Sequence, residues 1–307
     1  MRRALLAAAL FLVGCGTSSQ SADTTVPSLA CSPTSDAPWK GMAAVTEDYR
    51  VHVWTSDDRA FAELPMVGDD PRDASGEGDM NVVETAAVDP SSCEPIVGTC
   101  CEPVSGVSFH DIDKIREEWG MVMGHYPTIS PDGARIAFSG YDSVAVGPLG
   151  DIASPAVTIP QPPADEASIY DMTWLNDDEL VLYGVAPDGA HLWKADVTKG
   201  TLGERVLLTK DVSWTMGDAW SIGLAGIDDG MLVVRVSRAD RTELRRLSTQ
   251  DFSVESREES DTPLRSYRIS GGRESRVTAD GALQVRAPGS DEWTTLGSAS
   301  DKYVWAG

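Results

Sequence analysis

Thr128 to Gly140 reads TISPDGARIAFSG, a tight turn between two short apolar runs, and the chain returns to this plan at near-regular intervals. In Ser130-Pro131-Asp132-Gly133, Pro presets the second turn position, Asp tolerates the third, and Gly accepts the positive φ that follows. SIYDMTWLNDDELVLYG turns at Asn176-Asp177-Asp178, IGLAGIDDGMLVVRV at Asp228-Asp229-Gly230, and YRISGGRESRVT at Gly271-Gly272. Counted from Pro131 to Asn176, Asp228 and Gly271, successive turns are 45, 52 and 43 residues apart. A second turn recurs inside each unit, in VLYGVAPDGAHLWKADV, VVRVSRADRTELRRLS and SRVTADGALQVRA, and joins two strand-like runs. A fourth run follows in two units, at 205–209 and 292–296. The unit is therefore four short antiparallel strands in about 45 residues. One such sheet cannot bury both faces alone, so tandem copies predict an all-β fold, a β-propeller.

Upstream, residues 42–45, 51–54 and 61–64 make three further strands, and residues 302–306 at the other end supply a missing innermost strand. A blade shared by both ends closes the ring without a free edge. The turn at Pro90 in AVDPSSCEPIVGTC aligns loosely with Pro131, and residues 68–80 read as a polar loop. HDIDKIREEWGMVM, residues 110–123, places Ile112, Ile115, Trp119 and Met123 on one helical face, which predicts an inserted helix packed on the ring. Residues 40–307 thus predict a six-bladed propeller of four-stranded antiparallel blades, closed by the C-terminal strand.

TISPDGARIAFSG and the degenerate MTWLNDDELVLYG resemble the repeats of TolB-type bacterial propellers, in which a W/I-S-P-D-G turn precedes an apolar strand. The resemblance spans roughly residues 40–306 and is strongest in one repeat. It implies a six-bladed propeller with a binding role, and it carries over no catalytic residue.

Arg2 and Arg3 precede an uncharged apolar run of ten residues, Ala4 to Val13. That is short of the about 20 residues a spanning helix needs, and it matches a signal-peptide core. Leu12-Val13-Gly14-Cys15 resembles a bacterial lipobox. The resemblance implies removal of residues 1–14 and diacylation of Cys15. Acyl chains contribute about 0.8 kcal/mol per buried CH2, so two or three of them hold a protein firmly on a membrane. Residues 15–39 then form the acylated N-terminus and a Ser/Thr-rich flexible tether. The expected location is the cell envelope, lipid-anchored on the extracytoplasmic side, at the outer membrane or the outer face of the cytoplasmic membrane. A net charge of −23, two units more negative without Arg2 and Arg3, repels phosphate backbones and argues against nucleic acid. A monomer with an envelope protein partner is expected.

Besides Cys15 there are four cysteines, Cys31, Cys93, Cys100 and Cys101. Outside the cytoplasm an even number predicts disulfides. Joining the neighbours Cys100 and Cys101 would close a strained ring, so Cys31 is expected to pair with one and Cys93 with the other. C-x6-CC lacks the second short step of a zinc knot, so no metal is assigned. Nor is any catalytic residue or cofactor: the sequence has no G-x-S-x-G elbow, no H-E-x-x-H and no phosphate-binding glycine loop. His52, His110, His125 and His191 are scattered, and acid pairs such as Asp177-Asp178 and Asp228-Asp229 fall in turns that favour Asp anyway.

Tyr126, Tyr170, Trp220, Tyr267 and Tyr303 recur on the first strands of successive units. First strands line a propeller's channel. Alternate residues on them pack against the next blade, so these aromatics are either core or a channel mouth that grips a peptide or sugar. The function expected is a non-enzymatic, protein-binding scaffold. The alternative is an enzyme acting on carbohydrate or peptide at the channel mouth, with two carboxylates about 5–10 Å apart.

Overall fold

A computed structural model describes strands at 43–45, 51–54, 61–64, 82–88 and 95–100, then residues 108–121 and 125–298 apart from 151–154, 156, 164, 211–220, 239, 271 and 288. Four four-stranded antiparallel sheets follow one another along the chain. The first holds β7 (His125–Ile129), β8 (Arg135–Ser139), β9 (Ser143–Pro148) and β10 (Val157–Pro160). The second holds β11 (Ser168–Asn176), β12 (Glu179–Ala186), β13 (Gly189–Asp196) and β14 (Thr201–Thr209). The third holds β15 (Ser221–Asp228), β16 (Met231–Ser237), β17 (Thr242–Ser248) and β18 (Val254–Ser260). The fourth holds β19 (Leu264–Ser270), β20 (Arg273–Thr278), β21 (Ala282–Arg286) and β22 (Thr294–Ser298).

Each sheet is a meander in sequence order, and the first strands are neighbours from sheet to sheet: β7 beside β11, β11 beside β15, β15 beside β19. The first strands are therefore inner strands and the sheets are blades: the fold is an all-β propeller. The repeat turns fall where the sequence puts them, between inner and second strands. The Gly133 N–H donates to the Ser130 carbonyl at 2.9 Å, closing the first turn. Asp229 and Gly230 both have positive φ, 47° and 72°, the pattern of a type I′ hairpin.

Side chains that alternate along a strand are buried on both faces, one against each neighbouring blade. Along β12, Leu180 and Leu182 meet Trp174, Val144 and Val146 of one core cluster, while Val181 and Tyr183 meet Leu224, Leu232 and Val234 of the next. Along β16, Leu232 and Val234 face back towards β11–β14, and Val233 faces Leu264, Tyr267 and Ile269. Two-sided burial explains why these strands read as continuous apolar runs rather than as alternating ones. Each such side chain contributes about 1.5–3 kcal/mol of burial.

The N-terminal third departs from the expected plan. Among the described residues four blades have four strands, not six. β1 (Ala43–Val45), β2 (Val51–Trp54) and β3 (Phe61–Leu64) form a three-stranded sheet, close to the three strands expected there. The closing strand at 302–306 lies outside the described residues. β4 (Val82–Val88), β5 (Pro95–Cys100) and β6 (Ser108–Asp111) form another three-stranded sheet, and β6 lies parallel to β5. That breaks the meander, and the chain passes straight into a helix instead of a fourth strand. β4 still lies beside β7, as an inner strand does.

The helix, α1 (Ile112–Glu118), is shorter than the 110–123 expected. The Asp111 side chain accepts from the Lys114 N–H at 3.0 Å and caps it, and Gly120 at φ 65° follows its end. Ile112, Ile115 and Trp119 are buried, as the helical spacing predicts, against Ile96, Ile136 and Phe138. Trp119 meets Phe138 edge-on at 5.5 Å. A Cβ on Gly147 would lie 2.5 Å from the Trp119 ring, so the absence of a side chain there makes room for the indole. The helix thus packs on a blade flank. Among the described residues no helix is long and apolar enough to cross a membrane.

Candidate functional site

An inner strand has a blade partner on one side only, so its other backbone edge needs partners from elsewhere. Side chains supply them across the blade boundaries. The Leu224 N–H on β15 donates to Asp171 Oδ2 at 2.8 Å, from the preceding blade. The Leu224 carbonyl accepts from Arg268 Nη1, from the following blade. Leu264 on β19 is served in the same way. Its N–H donates to Thr242 Oγ1 at 2.9 Å, and its carbonyl accepts from Arg235 Nη1 at 3.0 Å. Arg235 also donates to Ser237 Oγ at 2.7 Å.

Asp171 is the hub of this wall. Its Oδ1 accepts from the Met172 N–H at 2.9 Å, and its Oδ2 stands 3.4 Å from Arg268 Nη1. Gly223 admits the neighbouring groups: a Cβ there would lie 3.1 Å from Arg235 Nη2 and 3.6 Å from Asp171 Oδ2. Arg235 is 6% exposed. Burial, and then the nearby Arg268, push its guanidinium down to about 10, with Asp171 and Tyr183 acting the other way, so it stays charged at neutral pH. Tyr183 and Tyr126 are pushed up by burial, then by Asp171 and Tyr170, so both keep their protons well above neutrality.

The inner strand of each four-stranded blade carries a register irregularity: between His125 and Thr128, Ile169 and Asp171, Leu224 and Gly226, and Leu264 and Ser266. Such bulges leave a residue out of the ladder and re-aim its side chain. In the first two strands that residue includes a tyrosine. Tyr126 is 38% exposed and Tyr170 41% exposed, on adjacent inner strands. Tyr126 has φ 52°, a conformation that favours glycine and costs a tyrosine on the order of 1 kcal/mol. The Tyr170 ring lies 6.5 Å from that of Tyr183, tilted by 44°.

The sequence-predicted residues thus separate. Tyr126 and Tyr170 stand exposed on the adjacent inner strands β7 and β11, and the charge of Asp171 acts on Tyr126. Tyr267 does not join them: it is 5% exposed, packs with Leu264 and Ile269, and its hydroxyl donates to Glu274, which also binds Arg286 at 2.6 Å. It is a core residue, not a channel-mouth residue. Trp220 and Tyr303 lie outside the described residues, as do Cys15, Cys31, Cys93 and Cys101. Cys100 ends β5 opposite Val82. Sequence reasoning missed Asp171, Arg235 and Arg268. The signal was present in SIYDMTW and MLVVRVS, where a lone charge interrupts an apolar run, but not for Arg268, which follows Arg265 in the mixed run LRSYRIS. Among the described residues no group of three His, Cys, Asp or Glu side chains is placed to hold a metal.

No protein-family model matches the chain, and no curated protein does. Among solved structures it is similar to the β-propeller domain of Cps50 (Swd1) from Myceliophteria thermophila, at 10% identity and a TM-score of 0.37, over 84% of this chain and 71% of that one. It is also similar to a prolyl endopeptidase structure, at 15% identity and a TM-score of 0.42, over 82% of this chain and 42% of that one. The chain therefore spans less than half of that peptidase. The fold assignment rests on strand order and on the neighbouring inner strands.

Proposed function

We propose that this protein is a non-enzymatic propeller of the bacterial cell envelope, anchored through a lipidated Cys15, whose axis-facing wall binds a polypeptide partner. The observation that supports the reading is the tyrosine pair. Two adjacent inner strands each expel a Tyr from the ladder at a bulge and leave it more than a third exposed, one of them in a strained backbone. A tyrosine combines a large apolar face with a hydroxyl, and strain of this kind persists where the surroundings enforce it. The Asp171 carboxylate, the acid of this wall, is engaged by two backbone N–H groups and Arg268, which suits a structural role better than acid–base chemistry.

The test uses the full-length acylated protein with a photo-crosslinking amino acid at position 126 or 170. A defined polypeptide captured from both positions, and absent when the label sits at exposed Tyr141 on the β8–β9 turn, is expected. Capture of the same polypeptide from Tyr141 would place binding elsewhere. Turnover of a labelled glycan or peptide that disappears in Asp171→Asn would instead favour the enzymatic alternative. Mass spectrometry of the mature N-terminus tests the anchor: an unmodified Cys15 would remove it.

A further inference from the structure

We infer that the wall at Arg268 is a carboxylate site, in which the Arg268 guanidinium, held against Asp171 with the exposed Tyr170 next to that acid on β11, receives a carboxylate of the bound polypeptide. This rests on the reading above and names the chemical group recognised.

The argument starts from Arg268. Its Nη1 is committed to the Leu224 carbonyl and Asp171, which fixes the plane and position of the guanidinium. A guanidinium carries five N–H donors in a rigid fork that matches a carboxylate. A quarter of the Arg268 side chain remains exposed. The Asp171 oxygens already accept from the Met172 and Leu224 N–H groups and from Arg268 Nη1, so Asp171 does not claim the other Arg268 donors. Arg235 adds a second guanidinium close enough for the two to repel each other. An incoming anion relieves that repulsion. Tyr170, 41% exposed and next to Asp171 on β11, offers a hydroxyl donor to the same anion.

The neighbouring acid selects among anions. A phosphate group carries about −1.5 to −2 charges at neutral pH and would meet Asp171 with about one and a half to two times the repulsion of a carboxylate. A carboxylate carries a single charge. The net charge of −23 opposes any anion at long range, so the group contributes specificity rather than strong affinity. A peptide offers such a group in two places, its C-terminus and its Asp or Glu side chains.

The experiment is an NMR titration of the folded protein, reading the Nε–H signal of Arg268 and the ring signals of Tyr126 and Tyr170. Four probes are compared: N-acetyl-alanine, N-acetyl-glutamic acid α-amide, neutral N-acetyl-alanine amide and inorganic phosphate. The expected result is a saturable shift with one or both carboxylates, with Kd on the order of 1–10 mM, and at least tenfold weaker response to the amide and to phosphate. The first two probes tell a main-chain carboxylate from a side-chain one. Arg268→Gln is expected to abolish the shift and Arg268→Lys to weaken it several-fold, because an ammonium lacks the fork. Should Arg268→Gln fail to fold, Tyr170→Phe decides, with an expected threefold to tenfold loss at an exposed hydroxyl. Equal responses to acid and amide would overturn the carboxylate inference and leave the peptide-binding reading standing. Tighter binding of phosphate, no saturable response to either carboxylate, or a carboxylate response unchanged in folded Arg268→Gln or in Tyr170→Phe would overturn it as well. The crosslinking experiment above judges the parent reading separately.

Discussion

The backbone N–H of Asp132 donates to Oδ1 of Asp177 at 3.0 Å, and the two residues stand 45 positions apart, one repeat. The turn of one blade is thus tied to the matching turn of the next. Arg135 strengthens the tie by donating to the Asp177 carbonyl and lying 5.2 Å from the ring centre of Trp174, whose indole N–H donates to the Thr128 carbonyl at 3.1 Å. Blade-to-blade cohesion here is polar at the turn and apolar below it.

Replacing Asp177 by Ala removes the acceptor for Asp132 and leaves the Arg135 contact to the backbone. A loss of about 1–2 kcal/mol is expected, read as a fall in Tm of about 2–4 °C. Asp177→Asn retains an acceptor and is expected to recover most of it. Equal stability of Asp177→Ala and the parent in thermal unfolding would show that this tie contributes nothing.

Two glycines of the β15–β18 blade separate space from conformation. Gly226 has φ 128°, and a Cβ there would lie 2.2 Å from the Ile269 carbonyl oxygen of the next blade, so backbone has to move. Gly230 has φ 72° with open space around it. Gly226→Ala is expected to abolish cooperative folding or cost more than about 3 kcal/mol, and Gly230→Ala only about 1 kcal/mol. Similar chemical denaturation midpoints for the two would contradict this placement of β15 against β19.

Tyr126→Gly sets stability against binding. Glycine relieves the positive φ at a cost in unfolded-state entropy, so the folded protein is expected to change by less than about 1 kcal/mol. Partner binding is expected to fall at least tenfold, because the exposed ring is gone. A variant that binds as well as the parent would mean that Tyr126 serves the backbone alone.

Acid should weaken the β15–β18 blade through Glu243. Its carboxylate accepts from Arg245 Nε and Nη2, both at 3.0 Å, and these bonds hold it below its ordinary value of 4.5. The folded pKa lies under the unfolded one, so the stabilisation is complete above about 4.5 and is lost as pH falls through the folded value. Tm measured from pH 7 downward is expected to stay level and then drop, with a shallower drop in Glu243→Gln. An acid limb identical in the two proteins would assign the loss to other carboxylates.

Much of the strand plan was legible in the sequence because it is written in contiguous residues. Turn residues at 130–133, 176–178 and 228–230 bound each inner strand, and apolar runs such as Leu180–Tyr183 mark strands buried on both faces. The N-terminal count was not legible. The parallel pairing of β6 with β5 depends on contacts such as Ile112 over Gly98, and no local pattern announces it. Tyr267 and Tyr170 also looked alike, since both sit on first strands. The bulge of β11 falls at Tyr170 itself, whereas that of β19 precedes Tyr267, and a one-residue slip exchanges the two faces of a strand.

By itself the sequence determined the punctuation and the period: where the chain turns, and which runs are apolar enough to be strands. Both follow from φ preferences and side-chain alternation over a few neighbouring residues. Only the tertiary structure decided which inner-strand residues stay exposed and how Asp171, Arg235 and Arg268 meet. Those groups answer the unpaired backbone edge of an inner strand in another blade, with Asp171 and Arg268 reaching Leu224 from 53 and 44 residues away, and no local rule spans that distance.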